Sequence, residues 1–105
     1  MRTPILALAA LLLGAAPCLA APDAAVAIKD YMFAPMAITV PAGTRIVWTN
    51  QDATAHTVKS ADPATPFASP PLEPGQSFAH VFATPGTYHI LCGLHPYMRE
   101  TITVQ

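Results

Sequence analysis

Cysteine is scarce in this sequence: Cys18 and Cys92 are the only two in 105 residues. Cys18 lies in an N-terminal stretch with the features of an export signal, so a processed chain would keep Cys92 alone. A single cysteine cannot form an intramolecular disulfide, and in an oxidising compartment it is protected, paired between chains or bound to metal. Metal ligation is the simplest explanation. Cys18 as a lipid-modified N-terminus is an alternative, although Pro17 fits the lipoprotein cleavage pattern poorly.

Charged residues are also few, at 10% of the chain, and neither sign dominates. Residues 21–105 carry four basic and six acidic side chains, which gives a net charge of −2. So mild a balance provides no electrostatic attraction to nucleic acid or to an anionic membrane. We therefore expect neither as a partner.

Long hydrophobic runs are absent after residue 20. Before it, Arg2 supplies a positive start, residues 5–16 form an apolar run, and Ala20 is a small residue where a signal peptidase could cut. A membrane-spanning helix needs roughly 20 apolar residues, more than this run offers. We predict a cleaved signal peptide over residues 1–20, a single domain over 21–105, export to the periplasm, and no stable membrane insertion after cleavage.

Helical spacing is missing from every ten-residue window after the leader. The chain instead alternates or runs apolar in short pieces, each closed by Pro, Gly or Asn, which is typical of an all-β sandwich. Seven pieces in so short a domain imply two packed sheets, and the Pro-rich region 61–71 is predicted to be a surface loop. The predicted strands are 26–30, 36–40, 45–50, 56–60, 77–82, 87–92 and 99–104.

Strand alternation also predicts which side chains face the core, because residues two apart lie on one face. Cys92 shares a face with the apolar residues of its strand, so the thiol should point inward at the end of the sandwich. The predicted core set is Ile46, Trp48, Tyr88, Ile90, Cys92, Ile102 and Val104.

A short loop after the sixth predicted strand carries three soft or borderline-soft donors. Cys92, His95 and Met98 follow one another with two residues between each pair. A thiolate and two imidazoles in a plane, with a distant axial methionine, form a blue-copper arrangement. The loop therefore favours copper and requires a second histidine from elsewhere.

Three other histidines are available, and His56 is the best placed. It follows a polar loop and opens a strand-like run, whereas His80 and His89 lie inside alternating runs. We expect His80 to be hydrogen-bonded and half-buried, and His89 to face solvent. Met32 and Met36 are predicted to serve packing. The predicted metal ligands are His56, Cys92, His95 and Met98.

These residues resemble those of the cupredoxins, the small type 1 copper proteins. The segments YMFAP (31–35), ITVPAGT (38–44) and VWTNQD (47–52) follow the family's usual order, so the resemblance spans the processed chain. It implies a two-sheet Greek-key β-sandwich that holds one copper ion. The two-residue gap between His95 and Met98 resembles the loop of amicyanin.

The resemblance also implies a function, namely transfer of single electrons by Cu(I)/Cu(II) cycling. In cupredoxins the C-terminal ligand histidine reaches the surface through an apolar patch, for which Leu94, Pro96 and Tyr97 are the candidates. An amicyanin-like loop implies a dehydrogenase and a c-type cytochrome as redox partners of a monomeric carrier. In the family, the residue before the loop of the first ligand histidine and the residue after that histidine make hydrogen bonds that fix the site. Asn50 matches the former, whereas Thr57 stands where the family often has asparagine.

Two other functions remain open. A copper trafficking or storage protein would use the same ligands without shuttling electrons. An enzyme would use Cys92 as a nucleophile, which requires a partly exposed thiolate. Four protein ligands leave no open position for a substrate, in contrast to the three ligands and water of catalytic zinc. We therefore expect no enzymatic activity.

Overall fold

The computed structural model describes residues 21–105, which form two four-stranded sheets packed face to face. Among these residues there is no helix, and hence none long and apolar enough to cross a membrane. The predicted all-β sandwich is confirmed, while the predicted signal peptide lies outside the described residues. The strands are β1 (Ala24–Lys29), β2 (Met32–Ala34), β3 (Ala37–Val40), β4 (Thr44–Asn50), β5 (Lys59–Ser60), β6 (Ser77–Phe82), β7 (Gly86–Leu91) and β8 (Arg99–Val104).

The sheet order brings three connections together at one end of the sandwich. The first sheet has the order β2-β1-β4-β6 and the second β3-β8-β7-β5. Because β1 and β4 are parallel, the turn after β1 and the loop after β4 lie side by side. In the second sheet β7 and β8 are antiparallel, so the loop that joins them forms a single connection at one sheet end. The Thr57 N–H and hydroxyl lie near Cys92 Sγ there, so the loop after β4 contacts the loop after β7.

Most predicted strands are observed, and two differences have a physical cause. A short strand that the sequence did not predict, β2, pairs with β1. The predicted strand 56–60 is regular only over Lys59–Ser60. His56 instead exchanges two backbone hydrogen bonds with Leu72, and the Val58 N–H donates to Ser69 Oγ, so this segment pairs with the loop before β6.

The core contains the inward-facing side chains that alternation predicted. Six of the seven predicted residues are buried and Tyr88 is half-buried. Apolar side chains at these positions remove hydrocarbon surface from water, at roughly 25 cal/mol per Å². The buried hydrophobic residues are Val26, Ile28, Phe33, Val40, Ile46, Trp48, Val58, Leu72, Phe82, Ile90, Cys92, Met98, Ile102 and Val104.

One charged residue shares this core. Glu100 lies on the same face of β8 as Ile102 and is 2% exposed. Trp48 Nε1–H donates to Glu100 Oε1 at 2.8 Å, while Oε2 is buried with no hydrogen-bond partner. Burial raises the pKa of Glu100 to about 7, although the hydrogen bond from Trp48 favours the ionised form.

The loop before β6 packs against aromatic side chains of β4 and β6. Phe67 in this loop stacks on His80 with ring centroids 4.0 Å apart, and it also packs near Trp48. His80 is half-buried as predicted, and burial lowers its pKa; its observed contact is stacking on Phe67, in place of the predicted hydrogen bond. His89 faces solvent, also as predicted.

Candidate metal centre

Three of the four predicted ligands meet at the end of the sandwich. The Nδ1 atoms of His56 and His95 each lie 3.8 Å from Cys92 Sγ, and the ligand atoms of all three residues lie within 4.8 Å of one another. His56 and Cys92 are buried, and His95 is half-exposed. The structure therefore brings together one thiol and two imidazoles, although His56 precedes Cys92 by 36 residues in the chain.

The spacing of these donors fits a metal ion. Metal–nitrogen and metal–sulfur bonds of about 2.0–2.3 Å at trigonal angles place the donor atoms roughly 3.8 Å apart. That value equals the observed distance from Cys92 Sγ to each imidazole nitrogen. Soft thiolate together with imidazole suits copper, and carboxylate oxygens do not contribute to the group.

The Cys92 loop is closed by its own backbone. The Cys92 N–H donates to Met98 O at 3.1 Å, and the Met98 N–H donates to His95 O at 2.9 Å. These two hydrogen bonds fold residues 92–98 into a tight turn between β7 and β8. Because Cys92 follows the inward-facing positions of β7, its thiol points into the buried end of the sandwich, as alternation predicted.

Thr57, the residue after His56, contacts the loop that carries Cys92 and His95. Its backbone N–H lies 3.3 Å from Cys92 Sγ, and its Oγ1 accepts a hydrogen bond from the Gly93 N–H at 2.7 Å. A Cβ atom at position 93 would lie 3.0 Å from that oxygen, so glycine permits the close approach. The Thr57 side chain thus braces the Cys92 loop at the position where the family often has asparagine.

His56 is held from its far side by a carboxylate. His56 Nε2 lies 2.8 Å from Asp52 Oδ2, which favours the tautomer with a proton on Nε2 and directs Nδ1 at Cys92. Burial alone would raise the pKa of Asp52, but the backbone N–H groups of Tyr31 and Asp30, together with His56, outweigh it and hold that pKa below 3.8. Asp52 therefore remains an acceptor at neutral pH.

Asn50 fixes the loop that carries Asp52 and leads to His56. Its Nδ2 donates to Thr54 O at 2.9 Å and to Leu72 O at 2.8 Å, and its Oδ1 accepts from the Asp52 N–H at 2.9 Å. The resemblance implied a fixing role for Asn50, and the observed contacts are with the loop backbone and not with a ligand.

Comparison with known proteins agrees with this geometry. The family model for the cupredoxin-like domain matches residues 4–104. The chain belongs to the cupredoxins. Amicyanin-alpha of Methylorubrum extorquens is 31% identical over 83 residues, which cover 76% of this chain and 70% of the relative. This cupredoxin is therefore of the amicyanin type, and its homologues bind copper.

Solved structures support the same fold. A purple cupredoxin from Nitrosopumilus maritimus is 33% identical with a TM-score of 0.72, and the match covers 79% of this chain and all (100%) of the other. An oxidised amicyanin variant matches with a TM-score of 0.75 at 24% identity, over 79% of this chain and 82% of the other. At this identity, the likeness to the amicyanin variant shows a shared fold alone.

Met98 and the two earlier methionines line one groove of this cupredoxin. Met98 is buried, and its backbone is tied to Cys92 and His95. Met32 and Met36 line the groove with it but are 49% and 60% exposed. Both side chains thus lie along a surface groove and not in the core, so any packing role they have is at the surface.

The half-exposed side of the cupredoxin site is apolar. Leu94, Pro96 and Tyr97, the residues that the resemblance implied for a surface patch, are all exposed around His95. Tyr31 is also exposed in part and lies edge-on to both histidine rings.

Sequence reasoning gave no role to Asp52 or Tyr31. Asp52 stands four residues before His56 in a polar loop, which is a signal for a carboxylate that orients a ligand histidine. Tyr31 lies in a segment that follows the family order, but nothing in a linear sequence indicates that a turn between two strands reaches the site.

Proposed function

We propose that this protein is an exported blue-copper electron carrier, in which His56, Cys92 and His95 would be the strong ligands of the copper ion and Met98 the weak fourth one. The observation that carries the proposal is the equal 3.8 Å spacing from Cys92 Sγ to both Nδ1 atoms, at a buried sandwich end. Membership of a family whose members bind copper supports the choice of metal.

Copper bound by these residues supplies a one-electron Cu(I)/Cu(II) couple. The chain keeps the donors in one arrangement: Asp52 orients His56, Thr57 donates its backbone N–H towards the sulfur, and two backbone hydrogen bonds close the Cys92 loop. Hydrogen bonds to a ligand sulfur and the burial of the site tune its reduction potential. Donors held by two rigid sheets need little rearrangement when an electron is gained or lost.

His95 is the proposed exit for the electron. It is half-exposed, and the exposed residues Leu94, Pro96 and Tyr97 flank it in the chain. Redox encounters use small interfaces that dissociate quickly, and an apolar rim of this kind suits such a contact. We propose a dehydrogenase as the electron donor and a c-type cytochrome as the acceptor. We also propose that residues 1–20 act as the export signal to the periplasm and that the mature chain is a monomer.

Copper trafficking is the second candidate, because the exposed thioethers of Met32 and Met36 lie in one groove with Met98. Soft thioether ligands select Cu(I).

A catalytic cysteine is disfavoured, because Cys92 is fully buried and a nucleophilic thiolate needs access.

Voltammetry and electron self-exchange of the copper-loaded mature protein distinguish the two candidates. A carrier gives a reversible Cu(I)/Cu(II) wave, and NMR line broadening in mixtures of the two oxidation states reports fast self-exchange. A trafficking protein gives slow self-exchange and passes Cu(I) to an acceptor apoprotein. Slow self-exchange with rapid Cu(I) transfer would overturn the carrier proposal.

A further inference from the structure

The turn between β1 and β2 has an unusual backbone. Asp30 and Tyr31 both adopt left-handed conformations, with φ of 55° and 57°. Two-residue hairpin turns of this kind favour Asn-Gly or Asp-Gly, because glycine takes positive φ without a steric penalty. A bulky residue with positive φ is a conformational outlier. Tyrosine at the second position is therefore held there by other contacts.

The carboxylate of Asp52 supplies those contacts. Oδ1 accepts from the Asp30 N–H at 2.7 Å, and Oδ2 accepts from the Tyr31 N–H at 3.0 Å. The same Oδ2 lies 2.8 Å from His56 Nε2. One carboxylate thus ties the strained turn directly to a ligand histidine.

The Tyr31 ring then completes a triangle with the two imidazoles. Its centroid lies 5.0 Å from that of His56 and 5.1 Å from that of His95, and the two imidazoles are 5.0 Å apart. Both tyrosine contacts are edge-on, at interplanar angles of 90° and 86°. The Tyr31 hydroxyl is anchored by a 2.8 Å hydrogen bond with Thr54 Oγ1.

We propose that Tyr31 is a positioning residue of the metal centre: its ring fixes the plane of His95 against His56 and limits the access of water and chelators to the ligands. The inference rests on the proposed copper function and adds a residue to it. His95 needs such support because it lies on the seven-residue turn 92–98 and is half-exposed, whereas His56 is buried and held by Asp52. Backbone strain that persists at a site indicates a constraint there.

The test compares ring removal with two controls. Tyr31→Asn removes the ring with a residue that tolerates positive φ, and Tyr31→Phe keeps the ring but removes the hydroxyl. Val81→Asn removes another exposed apolar side chain, from β6, where residue 81 pairs with Arg45 at the end of β4 away from the ligands. The measurements are the rate of copper transfer to excess chelator, the reduction potential, and the thermal unfolding midpoint of each protein.

Tyr31→Asn should release copper about tenfold faster than the parent, the size of effect typical when a residue supporting a ligand is lost. Tyr31→Phe and Val81→Asn should stay within about twofold. In the copper-free proteins, the NMR signals of the His95 ring should broaden in Tyr31→Asn and not in Val81→Asn. A purely structural role would lower the unfolding midpoint but leave copper release and the ring signals unchanged.

Release from Tyr31→Asn at the parent's rate would overturn the inference, as would an equal effect of Val81→Asn. If Tyr31→Asn does not fold, Tyr31→Gly makes the same test, because glycine adopts this backbone freely. Failure of the proposed function looks different: the parent itself would then show no thiolate-bound copper, whatever the variants do.

Discussion

His56 and His95 present the same nitrogen at the same distance from Cys92, yet their surroundings differ. His56 is fully buried, and its second nitrogen meets the Asp52 carboxylate. His95 is half-exposed on the turn between β7 and β8, with apolar neighbours at the surface. Equal donor geometry is thus obtained from one anchored residue and one accessible residue. The anchored half preserves the site, and the accessible half lets a partner approach it.

The two loops achieve their shapes in different ways. The loop before His56 is organised by buried side-chain hydrogen bonds, chiefly those of Asn50. The loop around His95 is closed by two backbone hydrogen bonds, from Cys92 and Met98, and leaves the side chains of Leu94, Pro96 and Tyr97 exposed. Changes in the first loop should therefore affect stability, and changes in the second should affect exchange with the surroundings.

Replacing each histidine by glycine gives the largest expected effect. Both His56→Gly and His95→Gly should lose the intense visible absorption of the copper protein, because a strong ligand is gone. Added imidazole should restore the absorption in His95→Gly, where the gap opens to solvent, and far less in His56→Gly, where it is buried. Titration with imidazole, followed by optical spectroscopy, measures the difference. Equal rescue of both variants would mean that the two halves are equally accessible.

Glu100 differs from Asn50, because one of its two buried oxygens has no hydrogen-bond partner. Its pKa is raised to about 7, so the protonated carboxyl is the form that the folded state favours. The resulting stability is present below the ordinary pKa of 4.5 and is lost as the pH rises through about 7. Glu100→Gln keeps an acceptor for Trp48 and cannot ionise, so it should be more stable than the parent at pH 8 by up to roughly 3 kcal/mol.

Denaturant unfolding at pH 4.5 and pH 8 checks this prediction on parent and variant. The difference between the two proteins should be small at the lower pH and large at the higher. A constant difference at both values would show that ionisation of Glu100 does not weaken the fold.

Asn50→Ala tests the anchored loop directly. The change removes three hydrogen bonds, two donated to the carbonyls of Thr54 and Leu72 and one accepted from the Asp52 N–H. We expect a loss of about 2–3 kcal/mol in the free energy of unfolding, because each intramolecular hydrogen bond contributes about 1 kcal/mol. Urea denaturation of the metal-free protein measures it. A loss below about 0.5 kcal/mol, the range of ordinary surface substitutions, would remove the distinction between the two loops.

Leu94→Ala is the matched change in the accessible loop and has the smallest expected effect on stability. Leu94 is exposed, so the free energy of unfolding should change by no more than about 0.5 kcal/mol. The proposed docking role predicts slower electron self-exchange with an unchanged visible spectrum. Unaltered self-exchange would place the contact surface elsewhere.

The sequence predicted the sandwich and the meeting of His56, Cys92 and His95 for identifiable reasons. Alternation with period two determined which residues of β4, β7 and β8 enter the core. It would also have placed Glu100 inward, had the rule been applied to a charged residue. The spacing of Cys92, His95 and Met98 indicated the metal loop because one short turn carries all three.

Features that depend on packing between distant segments could not be predicted in the same way. His56 pairs with Leu72, so the strand expected from its local sequence does not extend through it. The exposure of Met32 and Met36 follows from how β2 and β3 are placed and not from their apolar character. Tyr31 reaches the centre only because β1 and β4 are parallel and deliver their connections to the same end.

The most direct test of the central claim is the optical and electron paramagnetic resonance spectrum of the mature protein after addition of Cu(II). A thiolate-bound type 1 site predicts an intense visible band that ascorbate bleaches and an oxidant restores, and the band should be absent from Cys92→Ala. Weak absorption with an ordinary tetragonal copper signal, or a strong band that survives in Cys92→Ala, would contradict the assignment of Cys92, His56 and His95 as the ligands.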